Sequence, residues 1–265
     1  MKETSLAPPF ARGRTADVHA WDAGHVLKLF HPWFNLDSIE YERKIARAVH
    51  ASGVKTPAVL DLVQVQGRNG LIYERAAGQS MLQMFARKPW MLFTYARDLA
   101  RLHLEMHECS FDTAIPTQRS RLWAKLNEAR ALPTSLKETL LKALDSLPEG
   151  DRICHGDFHP DNVLVSEKET VVIDWIDASR GNPLADVART SVILLGAAAS
   201  SQSPGKLQKT FVKVFHSTYL KHYFRQFSNR MDEYRRWLPI VAGARLSENI
   251  PEIEEWLIDQ ARKVE

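Results

Sequence analysis

The pattern of apolar and polar positions changes along the chain, from short strand-like runs to longer helical repeats. Four short runs have the alternation or the β-branched content of strands, and turn residues separate them. The predicted strands are Thr15–Trp21, His25–Phe30, Val59–Val65 and Leu71–Glu74. They form two hairpins, the first with a three-residue loop that ends at Gly24 and the second around Gly67-Arg68-Asn69-Gly70, in which Asn69-Gly70 is a strong turn signal.

One helix is predicted between the two hairpins, from Ser38 to Ala51. Its apolar residues recur at helical spacing and form one stripe, which comprises Ile39, Ile45, Ala46 and Val49. Asp37 is the expected N-cap, because a short side-chain oxygen there accepts a hydrogen bond from a free N–H of the first turn. Gly53 lies just beyond the last apolar position and is expected to end the helix.

Beyond Gly78 the apolar spacing becomes mainly helical. The predicted helices are Trp90–His107, Leu136–Ser146, Leu184–Leu195, Lys206–Phe224, Met231–Ala244 and Glu252–Lys263. Among them, Asn162–Val165 and Thr170–Asp174 are predicted to form a small β-hairpin.

The order of these elements predicts an α+β fold of two lobes. An antiparallel sheet with one helix is expected at residues 1–76, and a larger, mainly helical lobe is expected at residues 77–265. Such a division leaves a cleft, which is where ligands usually bind.

Composition and charge argue against several classes of protein. The 265 residues are 45% hydrophobic and 25% charged, which is ordinary for a globular protein, and a formal charge of +3 is too small to indicate a nucleic-acid partner. The longest apolar stretch is too short to span a bilayer, and no apolar run marks a secretory signal, so no membrane partner is expected. Two cysteines, Cys109 and Cys154, provide no disulfide framework, which favours a cytoplasmic location.

The strongest chemical signal is the segment from His155 to Val165 and the apolar strand that ends at Asp174. It places an acid at Asp157, an amide at Asn162 and a second acid at Asp174. Phosphoryl transfer needs these groups: a carboxylate that orients and deprotonates an attacking hydroxyl, and hard oxygen ligands that hold Mg²⁺ on a nucleoside triphosphate. The competing interpretation is an ordinary hydrogen-bonded turn of Asp, Asn and Pro.

The wording His-Gly-Asp-Phe-His-Pro-Asp-Asn, which begins at His155, resembles the aminoglycoside phosphotransferase and choline kinase family, whose fold is protein-kinase-like. Protein kinases usually carry Arg where this chain has Gly156 and Lys where it has His159. The resemblance extends past Asp174 to Asp177, Gly181, Pro183 and Asp186.

The resemblance implies a role for each matching residue. Asp157 would be the catalytic acid or base, and Asn162 and Asp174 would bind the metal. Asp186 would brace the catalytic loop through hydrogen bonds, which is a structural role.

Lys28 is the candidate for nucleotide binding in the first lobe. Strand alternation places it on the same face as Val26 and Phe30, so it is expected to need an anionic partner, a carboxylate or a phosphate. Glu42 on the following helix is the natural choice, and the resemblance favours it over Glu40.

Further nucleotide contacts follow from the resemblance alone. Backbone N–H groups at Thr15 and Ala16 would contact phosphates, although a plain hairpin is an equally good interpretation of this segment. Main-chain groups within Tyr73–Ala76, among them those of Glu74 and Ala76, would bind the adenine ring at the hinge of the fold.

Three alternative interpretations stay open at this point. His103 and His107 lie one helical turn apart and could form a metal pair. A transition-metal cluster could be made of Cys154, His155, His159 and Asp161, and it would indicate a metallohydrolase. Acidic residues between Leu246 and Glu265 could receive a polycationic sugar, although acids also favour the first turn of the helix that Pro251 opens.

The sequence therefore predicts a Mg²⁺-dependent kinase that uses ATP or GTP. Only a few residues separate Asp174 from Pro183, which leaves no room for the long activation segment of protein kinases. A small-molecule hydroxyl is therefore the expected acceptor, and its identity stays open. A nucleotide-binding scaffold of the same fold without turnover is the main alternative.

Overall fold

The computed structural model describes residues 6–111, 115–200, 205–225 and 228–264 and divides into two units. The first unit contains the described residues up to Ser80 together with Val163–Ile176, and the second contains Met81–Asn162 and the chain from Asp177 onward. The first unit is thus discontinuous in sequence. The sequence-based division between residues 76 and 77 stays a prediction.

Strands dominate the first part of the chain and helices the remainder. The strands are β1 (Ala11–Arg12), β2 (Ala16–Ala20), β3 (His25–Phe30), β4 (Val59–Val65), β5 (Arg68–Glu74), β6 (Gln79–Ser80), β7 (Arg152–Cys154), β8 (Val163–Val165), β9 (Thr170–Val172) and β10 (Ser179–Gly181). The helices are α1 (Leu36–Ala51), α2 (Met81–Arg87), α3 (Leu92–Glu108), α4 (Gln118–Glu128), α5 (Thr134–Ser146), α6 (Pro183–Ala199), α7 (Lys206–Tyr223), α8 (Met231–Arg245) and α9 (Glu254–Ala261). Short 3₁₀ turns precede α3, β8, α8 and α9.

The first unit is built on an antiparallel sheet in the order β1-β2-β3-β5-β4, with α1 packed on one face. The α1 side buries Phe30 and Leu71 against Ile39 and Ala46. The opposite face buries a second cluster, which includes Leu27 and Leu29. Lys28 therefore emerges on the α1 side, as its place in the alternating pattern predicts.

The N-cap of α1 differs from the prediction. The side chain of Asn35 accepts a hydrogen bond from the N–H of Ser38 at 2.8 Å, whereas Asp37 lies inside the first turn. Asn35 and Asp37 are both residue types that cap helices. Since Leu36 and Asp37 are already helical, the capping position falls on Asn35. Gly53 follows the helix with φ of 87°, which fits its predicted role at the end.

The second hairpin turns at a different place from the one predicted. Val65 pairs with Arg68, so Gln66 and Gly67 form the two-residue loop, with φ values of 52° and 75°. The Asn69-Gly70 signal was wrong, because both residues lie inside β5. A Cβ at Gly70 would come within 2.7 Å of Cδ1 of Leu27, so the glycine there makes room for core packing.

A second sheet of the first unit has the order β6-β8-β9, and β8 and β9 form the predicted small hairpin. Trp175 follows it and donates its indole N–H to the carbonyl of Val172 at 3.1 Å. This hairpin leads the chain directly into Asp174.

The second unit is organised around α6, which is buried along most of its length and packs against α7 and α8. Asn182 caps this helix through Leu184, and Pro183 occupies its first position. Strands β7 and β10 form a short antiparallel ribbon, and the segment from His155 to Asn162 leaves β7.

Within the described residues, none of the helices combines the length and the apolar character that crossing a membrane requires.

Candidate active site

The segment after β7 makes a tight turn that only glycine fits. Gly156 has φ of 78°, and a Cβ on it would lie 2.5 Å from the carbonyl oxygen of Asp177. A side chain at this position would therefore displace the backbone.

Asp157 follows this turn with a carboxylate that is one-third exposed. Its Oδ1 accepts a hydrogen bond from Nη2 of Arg189 at 3.2 Å, and Nε2 of His159 lies 3.4 Å from its Oδ2. Burial alone would raise the pKa of Asp157, but the His159 contact and the positive charge of Arg189 outweigh it and hold the pKa well below its usual value. Asp157 is therefore an ionised carboxylate that is still 33% exposed.

Asn162 closes the loop onto Asp157. Its Nδ2 donates to the backbone oxygen of Asp157 at 2.9 Å and lies 3.4 Å from the Oδ2 of the same residue. Its Oδ1 accepts no hydrogen bond from the described part of the chain. An amide oxygen held in this way is a suitable ligand for a hard cation.

Asp186, in the first turn of α6, fixes the start of this loop. Its carboxylate accepts the backbone N–H groups of His155 and Gly156, at 2.6 Å and 2.9 Å. Nε2 of His103 and Nε2 of His107 lie 3.1 Å and 3.4 Å from its Oδ2. Four N–H donors thus converge on one buried carboxylate. Burial would raise the pKa of Asp186, but the contacts with His103 and His107 outweigh it and hold the pKa well below the usual value. The predicted bracing contacts are present.

The histidine pair of α3 belongs to this brace. The hydroxyl of Tyr219 lies 2.6 Å from Nδ1 of His103, and the hydroxyl of Tyr223 lies 2.8 Å from Nδ1 of His107. The tyrosines can donate to Nδ1, which leaves both Nε2–H groups for Asp186. The ligand atoms of His103, His107 and Asp186 lie within 4.8 Å of one another, but each already has a hydrogen-bond partner.

The cluster that a metallohydrolase would need does not assemble in the described part of the chain. Nδ1 of His159 accepts the N–H of Asp161, and Nε2 of His159 is directed at Asp157. Cys154 is fully buried, and burial raises the pKa of its thiol well above the usual value, which disfavours the thiolate that binds zinc. The second unit therefore contains a carboxylate-centred loop rather than a zinc site at these residues.

Two buried histidines of the second unit should make the fold sensitive to acid. Burial lowers the pKa of His103 to about 3 and that of His216 to about 4, whereas an unfolded histidine titrates near about 6.5. At a pH between the folded and the unfolded pKa of such a histidine, the unfolded chain binds more protons than the folded chain. The free energy of unfolding should therefore fall with falling pH, by up to about 1.4 kcal/mol per pH unit for each group. Denaturant unfolding between pH 7 and pH 4 measures this slope, and His216→Leu should reduce it. An equal slope in the variant would contradict the assignment.

Lys28 forms the centre of the charged group in the first unit. Its Nζ lies 2.8 Å from Oε1 of Glu42 and 3.1 Å from Oδ1 of Asp174, and the hydroxyl of Tyr73 donates to the same Oε1 at 2.9 Å. The predicted Lys28–Glu42 ion pair is present, whereas Glu40 pairs with Arg43. Burial lowers the pKa of Lys28, but the carboxylates of Asp174 and Glu42 overcome this and raise it above its usual value.

Asp174 has an unusual backbone conformation. Its φ of 65° lies in the left-handed region, which is unfavourable for a side chain with a Cβ and is often found at functional sites. The carboxylate is 44% exposed although it contacts Lys28. Asp174 is therefore held by a strained turn with part of its carboxylate open to solvent.

The other predicted nucleotide contacts have simple surroundings. Gly13 donates its N–H to the oxygen of Ala16 at 2.8 Å in the tight β1–β2 turn, and the oxygen of Thr15 accepts the N–H of His31, just after β3, at 2.9 Å. Glu74 ends β5 and donates its N–H to the oxygen of Ala58, while the N–H of Ala76 has no hydrogen bond to the described residues. Their contacts with nucleotide stay predictions.

Sequence reasoning missed two residues of α6 that hold the loop from its other side. Arg189 donates its Nε–H to the oxygen of Gly156 at 2.9 Å as well as contacting Asp157, and Thr190 donates its hydroxyl to the oxygen of Phe158 at 2.8 Å. Both residues are buried. The available signal was Arg189, the single cation of a mostly apolar helix.

Comparison with known proteins gives one match at the level of the family. A model described as the phosphotransferase enzyme family matches residues 8–237. Acyl-CoA dehydrogenase family member 11 from Pongo abelii is 25% identical over 177 residues, which cover 58% of this chain and 23% of that protein. The matched part of the chain thus spans less than a quarter of the length of this curated relative.

Solved structures of small-molecule kinases share the fold. A thermostable mutant of aminoglycoside phosphotransferase APH(4)-Ia has a TM-score of 0.67 at 15% identity, with 98% of this chain and 94% of that chain covered. Amicoumacin kinase hAmiN, solved with AMP-PNP, Ca²⁺ and Ami, has a TM-score of 0.62 at 16% identity, covering 97% and 86%. A choline/ethanolamine kinase family protein from Mesorhizobium loti has a TM-score of 0.58 at 18% identity, covering 98% and 87%. These likenesses confirm the predicted α+β class and kinase-like two-lobe fold.

Proposed function

The chain belongs to the phosphotransferase enzyme family, and from that premise we propose that it transfers the γ-phosphoryl group of ATP or GTP to a hydroxyl of a small molecule. The observation that carries the proposal is the position of Lys28, whose ammonium group bridges Glu42 and Asp174. Three residues far apart in sequence thus form the charged group that a nucleotide-binding lobe of this kind needs. The resemblance of the sequence motif to this family is borne out by the family match.

The nucleotide would be bound by residues of the first unit. Lys28, oriented by Glu42, would bind oxygens of the α- and β-phosphates. Backbone groups at Thr15 and Ala16 would contact phosphates, and those at Glu74 and Ala76 would contact the base.

The oxygen donors fit Mg²⁺ better than a softer metal. We assign its binding to the amide oxygen of Asn162 and the carboxylate of Asp174, because hard cations prefer oxygen ligands. When bound, Mg²⁺ neutralises charge on the phosphate oxygens.

Asp157 would act on the acceptor. Its carboxylate orients the hydroxyl and takes up the proton as the acceptor oxygen bonds to the γ-phosphorus. The bond from that phosphorus to the β–γ bridging oxygen breaks, and ADP or GDP leaves with both electrons of that bond. Arg189 keeps Asp157 ionised and in place before the reaction, since it contacts both that side chain and the preceding carbonyl.

A nucleotide-consumption assay over hydroxylated metabolites and antibiotics tests the proposal. We expect ADP or GDP release that depends on one class of acceptor and is abolished by chelating Mg²⁺. Saturable Mg·ATP binding with no acceptor-dependent release from the whole panel would indicate a nucleotide-binding scaffold instead.

A further inference from the structure

A pocket in the second unit lies beside the loop that carries Asp157. Helices α4, α6 and α8 line it together with Gly156, and its apolar walls are Leu122, Val241 and Ala244. The pocket is also rich in charge. The charged side chains at its wall are Arg121, Lys125, Asp177, Asp186, Arg189 and Arg245.

The carboxylates of this pocket are already engaged by cations or N–H groups. Oδ1 of Asp177 lies 3.3 Å from Nη2 of Arg121 and 3.3 Å from Nζ of Lys125. These cations lower the pKa of Asp177 although burial opposes them. Asp186 accepts the four N–H donors that fix the loop. The pocket therefore keeps little capacity for binding a further cation.

Glu248, in the 3₁₀ turn that follows α8, also lies close to cations. Its Oε1 lies 2.6 Å from Nη2 of Arg189 and 3.8 Å from Nζ of Lys125. Glu248 is one of the C-terminal acids that could have received a polycationic sugar, and the ion pair with Arg189 occupies it instead. Glu254 and Glu255 occupy the first turn of α9, as the helix-dipole interpretation predicts.

Arg245 is the exception, because it has hydrogen-bond donors to spare. Its Nε and Nη1 are buried and have no hydrogen-bond partner among the described residues, and Oε2 of Glu248 is 3.6 Å from Nε. The side chain is only 12% exposed. Burial, together with repulsion from Arg189, lowers the pKa of Arg245 to about 10, so the group is still charged at neutral pH. Besides its ion pair with Glu248, the buried guanidinium thus has two donors that can bind an acceptor from outside the chain.

We propose that the acceptor is an alcohol that carries an anionic group, and that Arg245 binds this group with help from Arg121 and Lys125. The inference rests on the proposed function and names the substrate class of the same site. A carboxylate or a phosphate of the acceptor would accept hydrogen bonds from the free donors of the guanidinium. The apolar part of the acceptor would contact Val241. The hydroxyl would then lie at Asp157. A polycationic acceptor would instead be repelled by the positive charge of Arg245.

The arrangement has a consequence for stability. Burying a guanidinium with two unfilled donors costs more than its 3.6 Å ion pair with Glu248 returns, and Glu248 keeps its contact with Arg189 in the variant. Arg245→Leu should therefore raise Tm while it weakens the acceptor site. A residue with a purely structural role would show the opposite change in Tm. Arg235 lies on the same helix, is exposed and pairs with Asp232, which makes Arg235→Leu the matched control.

The experiment compares acceptors of similar size that differ in charge. Glycerate and glycerol 3-phosphate supply the carboxylate and the phosphate, glycerol is the neutral analogue and serinol the cationic one, within a wider panel sorted by charge. We expect the best acceptors of the wild-type enzyme to be anionic. Arg245→Leu should raise their KM about 10- to 100-fold with little change in kcat, as the loss of a charge-assisted hydrogen bond implies, and Arg235→Leu should change neither.

A binding measurement separates failure of this inference from failure of the proposed function. Glycerate or glycerol 3-phosphate should raise the Tm of the wild-type protein and leave that of Arg245→Leu unchanged, whether or not either molecule is phosphorylated. Turnover confined to neutral or cationic alcohols would overturn the anionic acceptor and leave the kinase standing. An anion-dependent Tm shift without turnover of any alcohol would support the anion site and overturn the kinase. No shift with either anion, or an equal shift in both proteins, would overturn the anion site.

Discussion

Replacement of Asp157 by asparagine is expected to lower kcat by a factor of about 10² to 10⁴, which is the usual contribution of a positioned general base. Asparagine has the same shape and can still accept the hydrogen bond from Arg189, but it cannot take up the proton of the acceptor hydroxyl. The Kd for Mg·ATP should change little, since the proposed phosphate contacts belong to Lys28. Steady-state kinetics with a saturating acceptor and a separate nucleotide titration measure the two quantities.

The control for this variant is a neighbouring acid with no assigned role. Asp161 is exposed and lies in the same loop, so Asp161→Asn should keep turnover close to that of the wild-type enzyme. Near-normal kcat in Asp157→Asn would remove this residue from the chemistry. An equal loss in both variants would indicate general damage to the loop.

Replacement of Lys28 by methionine should affect both nucleotide binding and folding. Glu42 is only 3% exposed, and the variant leaves its carboxylate with the Tyr73 hydroxyl as its single polar contact in the described part of the chain. Breaking a buried ion pair by removing one partner costs on the order of 3 kcal/mol in the free energy of unfolding. Denaturant unfolding and a Mg·ATP titration of the same preparation should show both losses.

A double variant separates the two effects of Lys28. In Lys28→Met/Glu42→Gln the buried charge is gone, and the new amide oxygen can still accept the hydrogen bond from Tyr73. The free energy of unfolding should recover most of its loss, whereas nucleotide binding should stay weak because no ammonium group contacts the phosphates. Recovery of nucleotide binding in the double variant would show that Lys28 acts through the fold alone.

The parts of the site that could be predicted are those set by local rules. Strand alternation places Lys28 among buried residues on the helix side of the sheet, and that position brings Glu42 of α1 within its reach. The acid, amide and acid of Asp157, Asn162 and Asp174 were visible because their spacing is fixed along one loop and one hairpin. The bracing of that loop by Asp186 came from the resemblance.

The turn and the cap were mispredicted for a physical reason. Asn69-Gly70 is a stronger turn signal than Gln66-Gly67, yet the register that buries Leu71 and Ile72 on opposite faces places both residues of the former pair inside β5. Tertiary packing thus overrides a local preference. The same holds on a smaller scale for Asn35 and Asp37, since either side chain can cap a helix and geometry decides between them.

Long-range electrostatics could not be predicted from sequence. Arg189 contacts Gly156, Asp157 and Glu248, all of which are far from Arg189 in sequence. No local sequence pattern therefore predicts these contacts. Arg245 ends a helix, where a cation is expected for the helix dipole alone, and its unfilled donors are apparent only in three dimensions. Helix α4 was missed because its sequence is largely polar and it buries few of its residues.

The most direct test of the central claim is transfer of a labelled γ-phosphate. The wild-type protein is incubated with Mg·ATP radiolabelled at the γ-position and with the panel of anionic, neutral and cationic alcohols, and the products are separated and identified by mass. We expect the label in a phosphorylated alcohol, at a rate that Asp157→Asn reduces by a factor of about 10² or more. Label that stays in ATP throughout the panel, while Mg·ATP binds saturably, would contradict the assignment of this chain as a kinase.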